Sequence, residues 1–260
     1  MSAISRANAQ LFLLWLKRDV KSRYAGSSMG LLWAVLGPVL TIVLFYVLFA
    51  FVFQVRVPEL AREQGYFYYL LAGILPWLAL SEGLSRATNA LVAHEQFLQK
   101  QVFTVGILPG TAVVAGLLPQ LFGSVLYFIL LAWADLLQVT TWLWFPLMLA
   151  VQLLFTLGLG MALSILAVHV RDLVHAVPLV LQFLFYATPI LYPLSMVAEE
   201  YRFLFLFNPF ACLIMSWQAA LLGLPLDSSV LVALGLWTLL LGAGGYALFR
   251  VLKPTLGEAL

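Results

Sequence analysis

Two oppositely charged side chains stand inside an apolar stretch that is long enough to cross a membrane. Glu82 and Arg86 are one helical turn apart, so a helix would let them form an ion pair. Charges within a membrane span are costly and are candidates for a functional site, such as an ion or proton pathway. Such a pathway normally places acids or histidines on several helices, and the sequence offers none there. The competing interpretation is an intrahelical pair near the cytoplasmic interface, with Arg86 reaching toward the headgroups.

Aromatic residues form 14% of the chain and also allow two interpretations. At the membrane–water interface they would anchor helices, which we expect for Trp77, Trp142 and Trp144. Along a transport path they could stack on the apolar faces of sugar rings. The channel-lining candidates, in the first and fifth apolar stretches, are Trp33, Phe45, Tyr46, Phe49, Phe183, Phe185 and Tyr186. Packing against lipid or other helices is the alternative for each of them.

Motifs for catalysis and metal binding are absent from the sequence. It contains no G-x-x-x-x-G-K-[ST] phosphate-binding loop and no G-x-S-x-G motif, so we do not expect this chain to be an enzyme by itself. His94, His169 and His175 lack metal-ligand spacing, and Cys212 is the single cysteine. We therefore predict no metal site and no internal disulfide.

The composition indicates a helical membrane protein. Of the 260 residues, 64% are hydrophobic and 9% are charged, whereas soluble domains carry about 25% charged residues. The apolar runs are continuous rather than alternating, which favours helices over a barrel. The sequence therefore predicts an all-α polytopic membrane protein with a single transmembrane domain over residues 30–260. Its six spans are expected at about 30–53, 67–93, 107–134, 142–168, 173–194 and 230–251.

A basic cluster before the first span sets the orientation of the chain. The segment 17–23 carries four basic side chains, and the next charge is Arg56. Basic segments stay on the cytoplasmic side, so both termini are predicted to be cytoplasmic. In that topology ten of the 13 Lys and Arg residues lie inside, and Arg56, Arg62 and Arg202 lie outside. Residues 1–29 are predicted to form a cytoplasmic interfacial amphipathic helix and a connector.

Two short segments outside the spans also have helical patterns. In the inner loop HEQFLQKQVF, Phe97, Leu98 and Val102 could form an apolar face that docks on a cytoplasmic partner. The outer region 195–229 contains an apolar run of about 14 residues, which is too short to span the membrane. This run predicts a short re-entrant or interfacial helix before the last span.

Several segments resemble the permeases of type-2 ABC exporters that move polysaccharides and polyol phosphates. They are RDVKSRYAGSSMGLLWAVLGPVL, YLLAGILPWLALSEGLSRATNALVAHEQFLQK, VRDLVHAVPLVLQFLFYATPILYP and the pair Asn208-Pro209. The resemblance covers nearly the whole chain in the same order, with a matching length and number of spans.

The resemblance implies a homodimer with the export path between two copies and two separate ATP-binding subunits docked below. Those subunits would bind ATP and Mg²⁺, and this chain would bind no cofactor, no metal and no nucleic acid. The complex would lie in the cytoplasmic (inner) membrane of a bacterium, in contact with membrane lipid. Its substrate would be a lipid-pyrophosphate-linked polysaccharide, with an O-antigen as first choice and a capsule or teichoic-acid chain next.

The resemblance also assigns residues to functional elements. Those that match the ATPase-coupling elements are Trp15, Arg18, Arg23, Glu95, Phe97, Leu98, Lys100 and Phe103. Those that match the periplasmic gate helices are Asn208, Pro209, Phe210 and Trp217.

Three other functions compete with this interpretation. An ATP-independent secondary transporter or channel would need a midplane site of polar residues on broken helices, for which Glu82 and Arg86 alone give little support. A membrane-embedded enzyme that modifies glycans would need histidines or acids clustered at one membrane face, and the histidines here are too scattered. The same permease fold could also move a drug or a small lipid.

Overall fold

The computed structural model describes residues 3–23, 29–58, 60, 65–98 and 104–256. Its α-helices are α1 (Ala3–Arg23), α2 (Trp33–Tyr46), α3 (Gly65–Ala90), α4 (Glu95–Leu98), α5 (Ile107–Trp133), α6 (Val139–His169), α7 (Leu173–Ala187), α8 (Glu199–Arg202), α9 (Pro209–Leu222) and α10 (Ser228–Leu252). A π-helix, Val47–Val52, continues α2, and short 3₁₀ helices include Phe203–Phe207 and Lys253–Thr255. No strand occurs in these ranges, and the all-α prediction is confirmed.

Within the described residues, four helices are long and apolar enough to cross a membrane. They are α3, α5, α6 and α10 together with the 3₁₀ turn that follows it. The segments Glu199–Phe207 and Pro209–Leu222 form a further apolar pair bent by 107°, a geometry shared by broken spans and re-entrant loops. Val39–Phe49 and α7 are shorter apolar helices. The chain is therefore a polytopic membrane protein as predicted, while the count of six spans stays a prediction.

The helix of the predicted fifth span, α7, ends at Ala187 rather than near residue 194. Thr188 adopts an extended conformation, with φ −107° and ψ 140°. The reason is local, since Pro189 follows and a residue before proline is disfavoured in the α region. The next residues run without helix through the protein interior, where Thr188 and Ile190 are fully buried.

The central helix is α3, which packs against α5, α6, α7 and α9 and is buried along most of its length. Its backbone approaches α5 closely, because a Cβ at Gly116 would lie 2.8 Å from the Cα of Gly83. Two buried side-chain amides, on α5 and α6, bond to each other, and one of them also bonds to the backbone of α3. Gln120 Nε2 donates to Gln152 Oε1 (3.1 Å), and Gln152 Nε2 donates to Gln120 Oε1 (2.8 Å) and to the Pro76 carbonyl (3.2 Å).

The boundaries of α9 follow from its terminal residues. Asn208 Oδ1 accepts hydrogen bonds from the backbone N–H groups of Phe210 (3.0 Å) and Ala211 (3.2 Å), and Pro209 occupies the first turn. At the other end Gly223 has φ +66°, and its N–H donates to the Ala219 carbonyl. Asn208 Nδ2 also donates to the Ala187 carbonyl (3.3 Å), which ties α9 to the end of α7.

Candidate functional site

A groove of about 670 Å³ lies between α2, α3, α5 and α7. Its aromatic lining is formed by Trp33, Phe45, Trp77, Phe185 and Tyr186. Its polar lining is formed by Thr41, Ser81, Glu82, Ser85 and Gln182. Among the described residues that line it, Glu82 is the single charged side chain. The groove therefore combines flat rings with hydroxyl, amide and carboxylate groups.

The polar wall of the groove comes from one face of α3. Trp77, Ser81 and Ser85 follow one another at four-residue spacing, and Glu82 lies beside them, so helical periodicity brings them to one side. The Ser85 hydroxyl donates to the Ser81 carbonyl (2.8 Å), and the Ser81 hydroxyl donates to the Leu78 carbonyl (3.2 Å). Each hydroxyl oxygen keeps its capacity to accept a hydrogen bond from a solute.

Phe185 lies at the centre of the aromatic wall. Its ring centroid is 5.2 Å from that of Phe45, 5.8 Å from that of Trp77 and 5.2 Å from that of Tyr186. Phe185 itself is buried, whereas Tyr186 is 55% exposed and Trp33 is 47% exposed. Phe185 thus supports the exposed ring of Tyr186, and Trp33 provides a second exposed ring in the lining of the groove.

Glu82 is linked to the N-terminal helix through Arg86. Arg86 Nε donates to Glu82 Oε1 at 2.9 Å, and Arg86 Nη1 donates to Asp19 Oδ1 on α1 at 3.2 Å. The side chains of Glu82, Arg86 and Asp19 are 41%, 32% and 25% exposed. One guanidinium therefore bridges a carboxylate of the groove and a carboxylate of α1.

The ends of several elements meet beside α1. The Trp15 and His94 rings pack edge to face with centroids 5.0 Å apart, and the Arg18 guanidinium lies 4.8 Å from the Trp15 ring centroid in a cation–π contact. Nearby, Arg171 Nη2 donates to Glu95 Oε2 at 3.3 Å. The segment after α3 and the segment after α6 thus come together at the end of the bundle where α1 packs.

The opposite end is built around the TPILYP segment (188–193). The Tyr66 hydroxyl donates to the backbone of this segment at 3.0 Å. The Pro189 carbonyl accepts from the Tyr69 hydroxyl (2.8 Å) and from Gln218 Nε2 (3.1 Å). Irregular backbone inside a membrane protein is stable only where such groups are satisfied, so side chains of α3 and α9 hold this segment in place.

Comparison with known proteins decides the family. Residues 10–222, most of the chain, match the family model described as ABC-2 type transporter. The chain belongs to the ABC-2 type transporter family. As a member it is a permease subunit of an ABC transporter and is not itself catalytic.

Relatives within the ABC-2 family align along most of the chain. The O-antigen export system permease protein RfbA of Klebsiella pneumoniae is 28% identical over 251 residues, covering 96% of this chain and 95% of that protein. RfbA of Myxococcus xanthus is 34% identical over 214 residues, covering 80% and 79%. The polysialic acid transport protein KpsM of Escherichia coli is 22% identical over 239 residues, covering 90% of both.

The structure of this ABC-2 permease brings together four of the seven channel-lining candidates. Trp33, Phe45, Phe185 and Tyr186 line the groove. Tyr46 and Phe49 are not among the residues that line it. Their ring centroids lie 5.1 Å from that of Phe67 and 6.4 Å from that of Tyr66, respectively, at the start of α3. Phe183 is 71% exposed on α7 and does not line the groove.

The coupling candidates are described in part. Trp15, Arg18 and Glu95 gather at the end of the bundle beside α1. Lys100 and Phe103 lie outside the described residues, as do the side chains of Arg23, Phe97 and Leu98.

The gate candidates lie on α9 and at its start. Asn208 caps the helix and Pro209 opens it. The Phe210 ring centroid is 5.8 Å from that of Trp77 in the groove wall. Trp217 is buried and packs 5.5 Å from Phe145. α9 thus contacts the wall of the groove through the packing of Phe210 on Trp77.

Some residues of the site were not singled out from the sequence. Asp19 is an acid inside a basic cluster, and its partner lies 67 residues away. Gln152 and Gln218 are polar residues in apolar helices, a pattern that could have marked them as interhelical hydrogen-bond partners. Ser81 and Ser85 share a helix face with Glu82, which helical spacing alone could have indicated.

Proposed function

We propose that this chain is the permease subunit of an ATP-driven exporter that moves a lipid-linked polysaccharide across the cytoplasmic membrane of a bacterium. The carrying observation is the alignment with an O-antigen permease over 96% of the chain. We place an O-antigen first among substrates, and a capsule or teichoic-acid chain next. The groove supports a glycan, because exposed rings can pack on pyranose faces while the Ser81, Ser85 and Gln182 side chains can bond sugar hydroxyls.

In this proposal the working unit is a homodimer with two separate ATPase subunits, which carry ATP and Mg²⁺. Large apolar side chains are exposed on α2, α5, α7 and α10. Such an apolar surface is suited to contact with lipid or with a second copy of the chain. Both termini are cytoplasmic, and the support is the excess of Lys and Arg on the predicted inner segments. The end of the bundle beside α1 then faces the ATPase.

The mechanism follows from the two ends of the groove. ATP-driven closure of the partner pushes α1 and the inner loop after α3, because ATP binds one state of the assembly more tightly than the other. The Asp19–Arg86–Glu82 bridge passes the displacement of α1 to the groove wall. At the other end α9 contacts the groove through Phe210 and Trp77, so its movement would open the outer exit.

A double substitution tests the coupling role of the inner loop. Phe97→Asp with Leu98→Asp should abolish co-purification of the ATPase subunits while the permease still inserts in the membrane, since an apolar docking face would become charged. The matched control, Phe97→Leu with Leu98→Met, keeps the face apolar and should retain the ATPase. Normal complex formation by the Asp double variant would rule out this docking role.

A further inference from the structure

We propose that a cleft between α6 and α10 binds one acyl chain of a membrane phospholipid. The cleft has a volume of about 500 Å³, and it is lined by residues within 144–154 of α6 and 231–243 of α10. It shares no lining residue with the groove between α2, α3, α5 and α7. The inference therefore goes beyond the export path and does not depend on which substrate is moved.

The cleft lies beside a close contact between the two helices. A Cβ at Gly158 would overlap the backbone of Leu241 and Gly242, and a Cβ at Gly245 would overlap the Gly158 carbonyl. All the residues that line the cleft precede these contact points on α6 or accompany and precede them on α10. On that side the helices leave space between them, since a Cβ added at Gly235 would meet nothing within 4 Å.

The walls of the cleft are suited to hydrocarbon. Met148 and Leu234 are buried and form its floor, whereas Leu147, Leu154 and Leu239 are at least half exposed and form its rims. None of the described residues that line it is charged. Both helices are long and apolar enough to cross a membrane, so the space beside them is lipid rather than water. An empty cleft would deprive its walls of dispersion contacts, and a hydrocarbon chain restores them.

The depth of the cleft matches one leaflet of the bilayer. Residues 144–154 rise about 15 Å along α6, which is half of a hydrocarbon core of about 30 Å. The cleft lies in the first half of both helices, which is the outer leaflet in the proposed orientation. Because the contact at Gly158 closes its inner end, a chain that enters from the headgroup level ends near the midplane. A phospholipid acyl chain has this length, whereas a polyprenyl chain is much longer.

Trp144 provides an anchor at the mouth of the cleft. It lies in the second turn of α6, lines the cleft and is 43% exposed. Tryptophan is typical of the membrane–water interface, because its ring is apolar and its indole N–H donates a hydrogen bond. The ester and phosphate oxygens of a phospholipid lie at that level and accept such bonds. The site thus has a polar contact at its mouth and apolar walls below.

The test labels the purified protein with a phosphatidylethanolamine that carries a diazirine in the middle of one acyl chain. The protein is placed in nanodiscs of phosphatidylethanolamine and phosphatidylglycerol, and peptide mass spectrometry locates the label after illumination. The reference is the exposed apolar face of α5 within residues 122–129, which lies in the same leaflet. We expect the cleft to be labelled about threefold or more above this face, because a chain in the cleft contacts two helices at once.

Two matched variants assign the label to the cleft. Gly235→Phe places a ring in the cleft, since helical side chains point back toward the N-terminus and Leu231 lines the wall one turn earlier. It should reduce labelling of the cleft to the level of the α5 face. Gly244→Phe makes the same change where a Cβ also meets nothing within 4 Å, but outside the cleft, and should keep the wild-type pattern. The readout compares two segments of the same molecules, so protein yield does not affect it.

Four outcomes would overturn the assignment. Equal labelling of the cleft and the α5 face in the wild type would show ordinary lipid contact without a site. Weaker labelling of the cleft than of the α5 face would show that protein, such as a second copy, covers it. Unchanged labelling in Gly235→Phe would place the chain elsewhere. Displacement of the probe by a lower concentration of polyprenyl phosphate than of unlabelled phosphatidylethanolamine would identify the occupant as a polyprenyl lipid. Each of these results leaves the exporter proposal standing.

Discussion

The crossing of α6 and α10 permits a sharp prediction from two adjacent glycines. A Cβ added at Gly245 would overlap the backbone carbonyl of Gly158, whereas a Cβ added at Gly244 meets nothing within 4 Å. Gly245→Ala should therefore force α6 and α10 apart, and Gly244→Ala should be accepted without movement. The two variants make the same chemical change, one residue apart, within one helix.

The expected size of the effect follows from that pairing. Alanine is favoured over glycine within a helix by about 0.8–1.0 kcal/mol, and this gain applies to both variants and cancels in their difference. What remains is the cost of overpacking, typically about 1–3 kcal/mol. We expect the upper part of that range, since a backbone oxygen cannot rotate out of the way as a flexible side chain can.

Unfolding of the purified protein in mixed micelles, followed by tryptophan fluorescence during titration with a denaturing detergent, measures this difference. Gly244→Ala should have a free energy of unfolding equal to or slightly above that of the wild type. Gly245→Ala should be less stable than Gly244→Ala by about 2–3 kcal/mol, the upper part of the range for overpacking. Equal stability of the two variants would show that the helices do not approach closely at this crossing.

Three further predictions concern the groove and the core. Asp19→Asn weakens the ion pair between α1 and α3 and should reduce glycan-stimulated ATPase activity in the assembled complex. Because the pair is partly exposed, the free energy of unfolding should change by at most about 1 kcal/mol. If the variant failed to assemble instead, Asp19 would not have the proposed role in transmitting movement. Gln120→Leu and Gln152→Leu should each lower the free energy of unfolding by about 1–3 kcal/mol, because each leaves the other buried amide without its hydrogen-bond partner. The double variant should be more stable than either single variant. Additive losses in the double variant would refute the pairing. In transport assays on proteoliposomes, Tyr186→Ala should slow glycan export while Phe183→Ala, on the same helix but outside the groove, should not; equal effects would remove the groove from the export path.

The long helices of the fold could be predicted from the sequence. The expected spans at 107–134 and 142–168 differ by at most three residues at either end from α5 and α6. Their apolar runs are continuous, and a helix satisfies its own backbone hydrogen bonds in a membrane, so no distant contact is needed to define them. The end of α7 at Ala187 also has a local cause, because Pro189 disfavours a helical conformation at Thr188. The apolar run continues past Ala187, so hydrophobicity alone predicted a longer helix.

The contacts between helices could not be predicted in the same way. Arg86 has an acid one turn away at Glu82, which sequence spacing indicates, but its second partner Asp19 depends on how α1 packs. The hydrogen bonds from Tyr66 and Tyr69 to the TPILYP segment span more than a hundred residues of sequence. Such pairs arise from the packing of the whole bundle, and no local pattern encodes them.

The aromatic candidates show the same limit within single helices. Sequence reasoning selected Phe183, Phe185 and Tyr186 by residue type and by their place in an apolar stretch. Successive residues of a helix point in different directions, so only some rings of one segment can face the same groove. Phe185 and Tyr186 reach it, while Phe183 is exposed elsewhere on α7.

The most direct test of the export function is ATP-dependent movement of a lipid-linked glycan by a purified complex. This chain would be co-expressed with candidate ATPase subunits, purified by a tag on the permease and reconstituted into proteoliposomes. We expect a complex of two permeases and two ATPases that moves the glycan only when ATP is hydrolysed. If no ATPase subunit co-purifies and the permease alone carries a solute across the bilayer, the exporter account is wrong and an ATP-independent transporter replaces it.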